Sequence, residues 1–196
     1  MSNVSIVQAK SELLKLLKLK SFFRGDFTLA SGAKSSYYID CRLTTLDAKG
    51  AWLVGQVMLP LIRQMEQTTG KTVKSIGGLT MGADPVALAT AIASYSADPE
   101  KPIHTFVVRK TPKTHGATKL IEGNFQPGDT VAVLDDVITT GDSTLKAIEA
   151  VVHAGGKVAF AAVLVDRQEG GRKNIEAKGY PVITAFTRDE LMADNQ

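Results

Sequence analysis

The chain has 196 residues, 44% of them hydrophobic and 22% charged, with a formal net charge of +3 at pH 7. That length supports one domain with its own core, and no apolar run reaches the roughly 18 residues a membrane span needs. The charge is too small to imply nucleic acid, and the single cysteine, Cys41, can form neither an intramolecular disulfide nor a zinc site. The opening MSNVSIVQAK lacks the basic-then-apolar layout of a secretory signal. The expected setting is therefore a reducing cytoplasm, with neither membrane nor nucleic acid as partner.

Ser5 to Lys20 reads as a helix. Ser5 and Gln8 have capping-box spacing, and Leu13, Leu16 and Leu17 share a face that Lys10, Lys15 and Lys18 largely avoid. We read it as packed on the domain with a solvated lysine face. Phe22 to Arg42 reads as hairpin-rich, with Gly25 and Gly32 as turn points. Ala48 to Met65 reads as a second helix. Then comes alternation: a strand at Val73–Ile76, a glycine-rich turn at Gly77, Gly78 and Gly82, and a helix at Asp84–Ser94. A strand at His104–Arg109 leads to a polar stretch from Lys110 to Gly128. The remaining pattern is a strand at Thr130–Leu134, a helix at Ser143–Ala154, a strand at Lys157–Val165 and a last strand near Val182–Phe186. Strand–helix alternation with near-continuous apolar strands predicts an α/β fold, a Rossmann-like parallel sheet flanked by helices. Ligands bind such sheets at the carboxyl ends of the strands, where the loops at 77–82, 110–123 and 135–143 all begin.

The stretch VAVLDDVITTGDS, 131–143, is the most informative. An apolar strand meets two acids, Asp135 and Asp136. Val137 and Ile138 follow, and Thr139, Thr140, Gly141, Asp142 and Ser143 lead into a helix. Free N–H groups at a helix start, a glycine that admits close approach, and small hydroxyls suit a phosphate. The acids suit ribose hydroxyls and a hydrated magnesium ion beside it. Together these residues predict a sugar-phosphate ligand. Upstream, Arg109, Lys110, Lys113, His115 and Lys119 fall in RKTPKTHGATK, with Gly116 and Gly123 as hinges, a loop able to close over a polyanion.

The 131–143 stretch resembles the phosphoribosyl-pyrophosphate motif of type I phosphoribosyltransferases. The order Arg109-Lys110-x-x-Lys113-x-His115-Gly116, ending at Glu122-Gly123, is similar to the mobile catalytic loop of orotate phosphoribosyltransferases. FTLASGAKSSYYIDCR, GGLTMGADP and VLVDRQEGG extend the resemblance over nearly the whole chain. It implies a single type I phosphoribosyltransferase domain over 1–196, with a small hood mainly from 1–45 and a core at about 46–190. It implies transfer of ribose 5-phosphate from 5-phosphoribosyl-1-pyrophosphate to orotate, with Mg2+. Asp135 and Asp136 would face the ribose, and Thr139 to Ser143 would cradle the 5-phosphate. Arg109, Lys110, Lys113 and His115 would engage the pyrophosphate, the last three being catalytic with the two acids.

Thr139, Arg167 and the backbone near Tyr38 and Ile39 would contact orotate. Arg167 would offer its fork to the carboxylate; its alternative is a surface arginine paired with Asp166 or Glu169. The tyrosines could equally be core. Relatives insert the loop into a neighbour's site, which implies a homodimer with shared sites. Two positions depart from many members, which carry lysine where this chain has Ala30 and Met81. The alternatives kept open are a phosphoribosyltransferase for another base, a non-catalytic regulator that senses phosphoribosyl pyrophosphate, and a Rossmann-like enzyme for some other phosphorylated ligand.

Overall fold

The computed structural model describes residues 5–28, 32, 34–111 and 120–193. Helix α1 (Ile6–Lys20) begins where the Ser5 hydroxyl accepts the Gln8 N–H at 3.2 Å. The box is only half formed, because the Gln8 side chain turns to Glu12 instead. Ala9, Leu13 and Leu17 are buried, as the leucine face predicts. The lysine face is more tethered than expected. Lys10 lies over the Phe186 ring, Lys18 donates to the Ala193 carbonyl, and Lys20 pairs with Asp47.

Strands β1 (Phe22–Thr28) and β2 (Lys34–Ile39) form a separate antiparallel hairpin, with Phe22 opposite Ile39 and Phe23 opposite Tyr38. Gly25 is not a turn point. It sits inside β1, where the register shifts between Arg24 and Phe27. A short helix α2 (Arg42–Thr45), which the sequence did not announce, precedes α3 (Ala48–Thr69). Asp47 caps α3 by accepting the Gly50 N–H, and left-handed Gly70 ends it. The helix thus outlasts the expected end at Met65. Its apolar face stops there, but backbone hydrogen bonding continues until a residue leaves the helical region.

The main sheet has strand order β5-β4-β3-β6-β7-β8. In chain order it is built from β3 (Ser75–Leu79), α4 (Ala83–Ala97), β4 (His104–Val108), β5 (Ile121–Gly123), β6 (Thr130–Ile138), α5 (Asp142–His153), β7 (Lys157–Asp166), α6 (Gly171–Glu176), β8 (Val182–Thr187) and α7 (Arg188–Met192). All neighbours pair in parallel except the edge strand β5, which returns antiparallel to β4. Side chains alternate between the faces. Ala132, Leu134, Phe160, Ala162 and Leu164 pack with α1, α3 and α4; Val131, Val133, Ala161 and Val163 pack with α5 and α6. The first of these clusters also takes in Tyr37, Ile39 and Cys41, so the hairpin region is joined to the sheet by shared core.

Two glycines read as turn belong to β3. A Cβ at Gly77 would come within 1.9 Å of the Phe106 carbonyl oxygen, and one at Gly78 within 2.0 Å of that of Leu134. The glycines let β3 lie close between its neighbours, and the turn is confined to the residues that follow Leu79. The strand that carries the acids is longer than predicted. β6 runs through Asp135 and Asp136 to Ile138, paired with β7 as far as Asp166.

Candidate active site

Strands β4, β3, β6 and β7 are adjacent and parallel, so their carboxyl ends share one edge of the sheet. Asp135 and Asp136, being consecutive in a strand, point to opposite faces. Asp135 is 6% exposed. Its Oδ2 accepts the Thr144 hydroxyl at 2.8 Å and its Oδ1 accepts the Asp136 N–H at 3.0 Å. Asp136 lies against Gly82, where a Cβ would come within 2.2 Å of Asp136 Oδ1. Burial first, and then the charge of Asp136, push the Asp135 carboxyl up to about 7. Burial raises Asp136 as well. The same two acids help hold the Cys41 thiol well above its usual range, after burial itself, which places the end of the hairpin region beside them.

Beyond the acids the chain makes its phosphate-type turn. Gly141 has φ 87°, a left-handed conformation that an L side chain rarely adopts. Gly141 offers α5 no side-chain cap, which leaves the first N–H groups of the helix to a ligand or water. Helix α6 braces the turn from below. The Gly171 N–H donates to the Thr139 carbonyl at 2.9 Å, and Asn174 Nδ2 donates to the Thr140 carbonyl at 2.9 Å. A Cβ at Gly171 would reach within 2.7 Å of the Thr139 oxygen. Asp135, Val137, Ile138, Thr139, Thr140, Gly141, Asp142 and Ser143 line a cavity of about 250 Å³. Ile138 is otherwise core. A larger cleft of about 910 Å³ opens between β5 and α5, and it contains neither the acids nor the turn. Chemistry, not size, selects the smaller one.

The basic loop leaves and rejoins the sheet at one place. Val108 pairs with Ile121, and the Arg109 N–H donates to the Leu120 carbonyl at 2.9 Å, closing the loop's base. Arg109 pairs with Glu122 at 3.4 Å. Lys110 is exposed. Lys113 and His115 lie outside the described residues, as does Ala30.

At the end of β7, Arg167 is 6% exposed, so the surface alternative fails in that respect. It does pair with Glu169, at 2.8 Å from Nη2. Its guanidinium lies over the Tyr37 ring, 5.0 Å from the centroid. Tyr37 and Ile39 are buried, so those positions are core. Tyr38, 37% exposed, turns the other way and meets Phe27. The hairpin therefore brings Tyr37 onto Arg167, and Tyr38 and Ile39 follow it in β2.

Orotate phosphoribosyltransferase of Aquifex aeolicus (strain VF5) is 42% identical over 186 residues, covering 93% of this chain and 97% of that protein. This chain belongs to the orotate phosphoribosyltransferase family. Two crystal structures of the Mycobacterium tuberculosis H37Rv orotate phosphoribosyltransferase share its fold. The complex with Fe(III) dicitrate has a TM-score of 0.78 at 39% identity, and the complex with 5-phospho-alpha-D-ribosyl 1-diphosphate has 0.74 at 37%. Each covers 94% of this chain and 99% of the other. No protein-family model matches the chain. Sequence reasoning missed several parts of this candidate site: Thr144 behind Asp135, Gly82 against Asp136, and the α6 brace. The hydroxyl at Thr144 was a visible signal, since it lies one residue beyond the motif and on the first turn of α5.

Proposed function

We propose that this family member transfers the phosphoribosyl group of 5-phosphoribosyl-1-pyrophosphate to orotate, giving orotidine 5′-phosphate and pyrophosphate in pyrimidine biosynthesis. The observation that carries the reading is the meeting, at one sheet edge, of the β6 acids, the uncapped turn of α5 and the buried guanidinium of Arg167. In the reaction the bond from ribose C1 to the pyrophosphate oxygen breaks and a bond from C1 to orotate N1 forms, with the N1 proton released to solvent. Positive charge develops on the ribose and negative charge on the leaving group. Asp135 and Asp136 orient the ribose hydroxyls. The N–H groups of residues 140–143 and the hydroxyls of Thr139, Thr140 and Ser143 hold the 5-phosphate. Lys110, Lys113 and His115 neutralise the leaving pyrophosphate. Arg167 pairs with the orotate carboxylate and so disfavours uracil, which would leave it unmatched.

Magnesium fits this donor set in one way. Two consecutive acids stand at the strand end, one on each face, and among the described residues no group of three His, Cys, Asp or Glu side chains could hold an ion alone. That suits an ion bound chiefly through substrate oxygens and water, with Asp135 and Asp136 beside it. When bound, it supplies charge neutralisation on the pyrophosphate.

We also propose a homodimer with shared sites. Leu88, Ile92 and Tyr95 are each more than half exposed and share one face of α4, next to exposed Met81 in the turn after β3. A second copy covering that face would bring its loop to this site, with Lys113 and His115 acting in trans. As compartment we propose the cytoplasm, which suits the free thiol of Cys41; among the described residues no helix is long and apolar enough to cross a membrane.

A spectrophotometric assay with orotate, 5-phosphoribosyl-1-pyrophosphate and Mg2+ tests the activity. Orotate should be consumed, and uracil and purine bases spared. Turnover of another base but not orotate would move the reading to a different phosphoribosyltransferase, and ligand binding with no turnover to a regulator. Sharing is tested by mixing the Asp135→Asn/Asp136→Asn variant with Lys113→Ala under subunit exchange. Mixed dimers should regain about half the activity of the native dimer, since one of two symmetric sites carries neither defect. Exchange without any regain would assign the loop to its own subunit.

A further inference from the structure

At the end of β7 one carboxylate oxygen gathers three donors. Glu169 Oε1 accepts from Arg167 Nε at 3.0 Å, from Arg167 Nη2 at 2.8 Å and from the Tyr37 hydroxyl at 2.7 Å. The Arg167 side chain is 8% exposed and that of Glu169 32%. A guanidinium so far removed from water needs acceptors for its N–H groups, and Glu169 accepts from two of its nitrogens.

The choice of edge is the informative part. Nε–H and the nearer Nη2–H form the side edge of the guanidinium, and both are turned to Glu169. Nη1 has no protein partner among the described residues. The end-on pair, Nη1 and the second Nη2–H, is the other bidentate fork that this cation can offer a carboxylate. Tyr37 fixes the remaining freedom. Its ring lies under the guanidinium plane, and Phe22 stacks on it in turn, with centroids 5.9 Å apart. The backbone that carries the pair is also pinned. The Arg167 N–H donates to the Ile138 carbonyl, and Asp166 Oδ1 accepts the Gln168 N–H at 2.7 Å, holding Gln168 at φ 59°. The Gln168 side-chain oxygen accepts the Asp189 N–H, anchoring the loop to α7.

We infer that Glu169 is a positioning residue for the acidic base. It grips the side edge of Arg167 against Tyr37 and so presents the end-on fork to the substrate carboxylate before the substrate arrives. This rests on Arg167 receiving the orotate carboxylate, as proposed above. A fork already fixed loses little freedom when its partner docks, so removing the grip weakens binding of the base and leaves the bond-breaking end untouched. The negative charge of Glu169 opposes the incoming carboxylate, so it is the hydrogen-bonding oxygen, not the charge, that helps.

Steady-state kinetics of native enzyme and of Glu169→Ala, Glu169→Gln, Tyr37→Phe and Arg167→Ala, each varying orotate and phosphoribosyl pyrophosphate separately, test this. Glu169→Ala should raise the orotate KM about tenfold, with kcat and the phosphoribosyl-pyrophosphate KM within about twofold of native. Glu169→Gln, whose amide oxygen accepts the same bonds, should restore the orotate KM to the native value or below. Tyr37→Phe should lie between native and Glu169→Ala. An unchanged or lowered orotate KM in Glu169→Ala overturns the inference, as does a glutamine variant no better than alanine, or a parallel fall in kcat. If Arg167→Ala keeps native orotate kinetics, the carboxylate assignment beneath it fails. If Arg167→Ala is crippled while Glu169→Ala is native-like, the positioning role alone fails.

Discussion

Around the turn after β6, the parts that shape the cavity are neighbours in the chain, supported by the pairing of β6 with β7 and by α6, which docks beneath them. At Arg167, the ring below the guanidinium and the carboxylate beside it come from segments 132 positions apart. The first region is held by backbone: a left-handed glycine, uncapped N–H groups and carbonyls tied to α6. The second is held by side chains: a buried cation, one shared oxygen and a ring stack. The contrast separates two kinds of damage. Changes at the turn should impair every base alike, because all share the ribose phosphate. Changes at Arg167 should fall on the base and spare the phosphate donor.

The largest effect is expected at the acids. Asp135→Asn with Asp136→Asn should lower kcat/KM by about three orders of magnitude, with a native circular dichroism spectrum. Near-native turnover in that folded protein would remove the acids from the site. Arg167→Ala comes next, with orotate efficiency down about a hundredfold and the phosphoribosyl-pyrophosphate KM nearly unchanged. If both substrates suffered equally, the two ends would not be separable as drawn.

A smaller effect should follow Gly141→Ala. Its Cβ would be held in the left-handed region, within 2.9 Å of the Gly171 carbonyl oxygen. The strain is of order 1–2 kcal/mol, so the phosphoribosyl-pyrophosphate KM should rise about tenfold and Tm fall by a few degrees. Equal kinetics would mean that the turn tolerates a side chain and that its shape is not what binds phosphate.

The smallest effect is a pH dependence of ligand-free stability. Asp135 is raised to about 7 from its ordinary 3.8. The folded chain therefore binds more protons than the unfolded chain between those values. Its stabilisation is complete below about pH 4 and is lost as pH rises through about 7. Asp135→Asn does not titrate, so its Tm should fall less than that of the native protein between about pH 6 and about pH 7, by about 2–4 °C. Parallel melting curves, recorded by scanning calorimetry in chelator, would argue that the acids are not buried together.

The alternation of apolar strands and helices, the leucine face of α1 and the strand–acid–turn order of 131–143 were all legible in the chain, because each is a local pattern whose period or spacing forces a geometry. So was the edge of the sheet at which the loops gather, since parallel connection puts every such loop at the same end. Short elements were not legible: α2, α6 and α7 carry too few turns for periodicity to show. The glycines at 77 and 78 were misread for a related reason. Glycine marks a turn and a close strand approach with the same residue, and only the nearness of Phe106 and Leu134 distinguishes the two. The acids were placed after the strand rather than within it, because their pairing with β7 is made by backbone and leaves no mark in side-chain hydropathy. Arg167 stood out as a cation near a strand end, but its environment did not. Burial against Tyr37 and the grip of Glu169 arise only when the hairpin folds onto the sheet, since a contact across 132 positions is set by packing and not by any pattern in neighbouring residues.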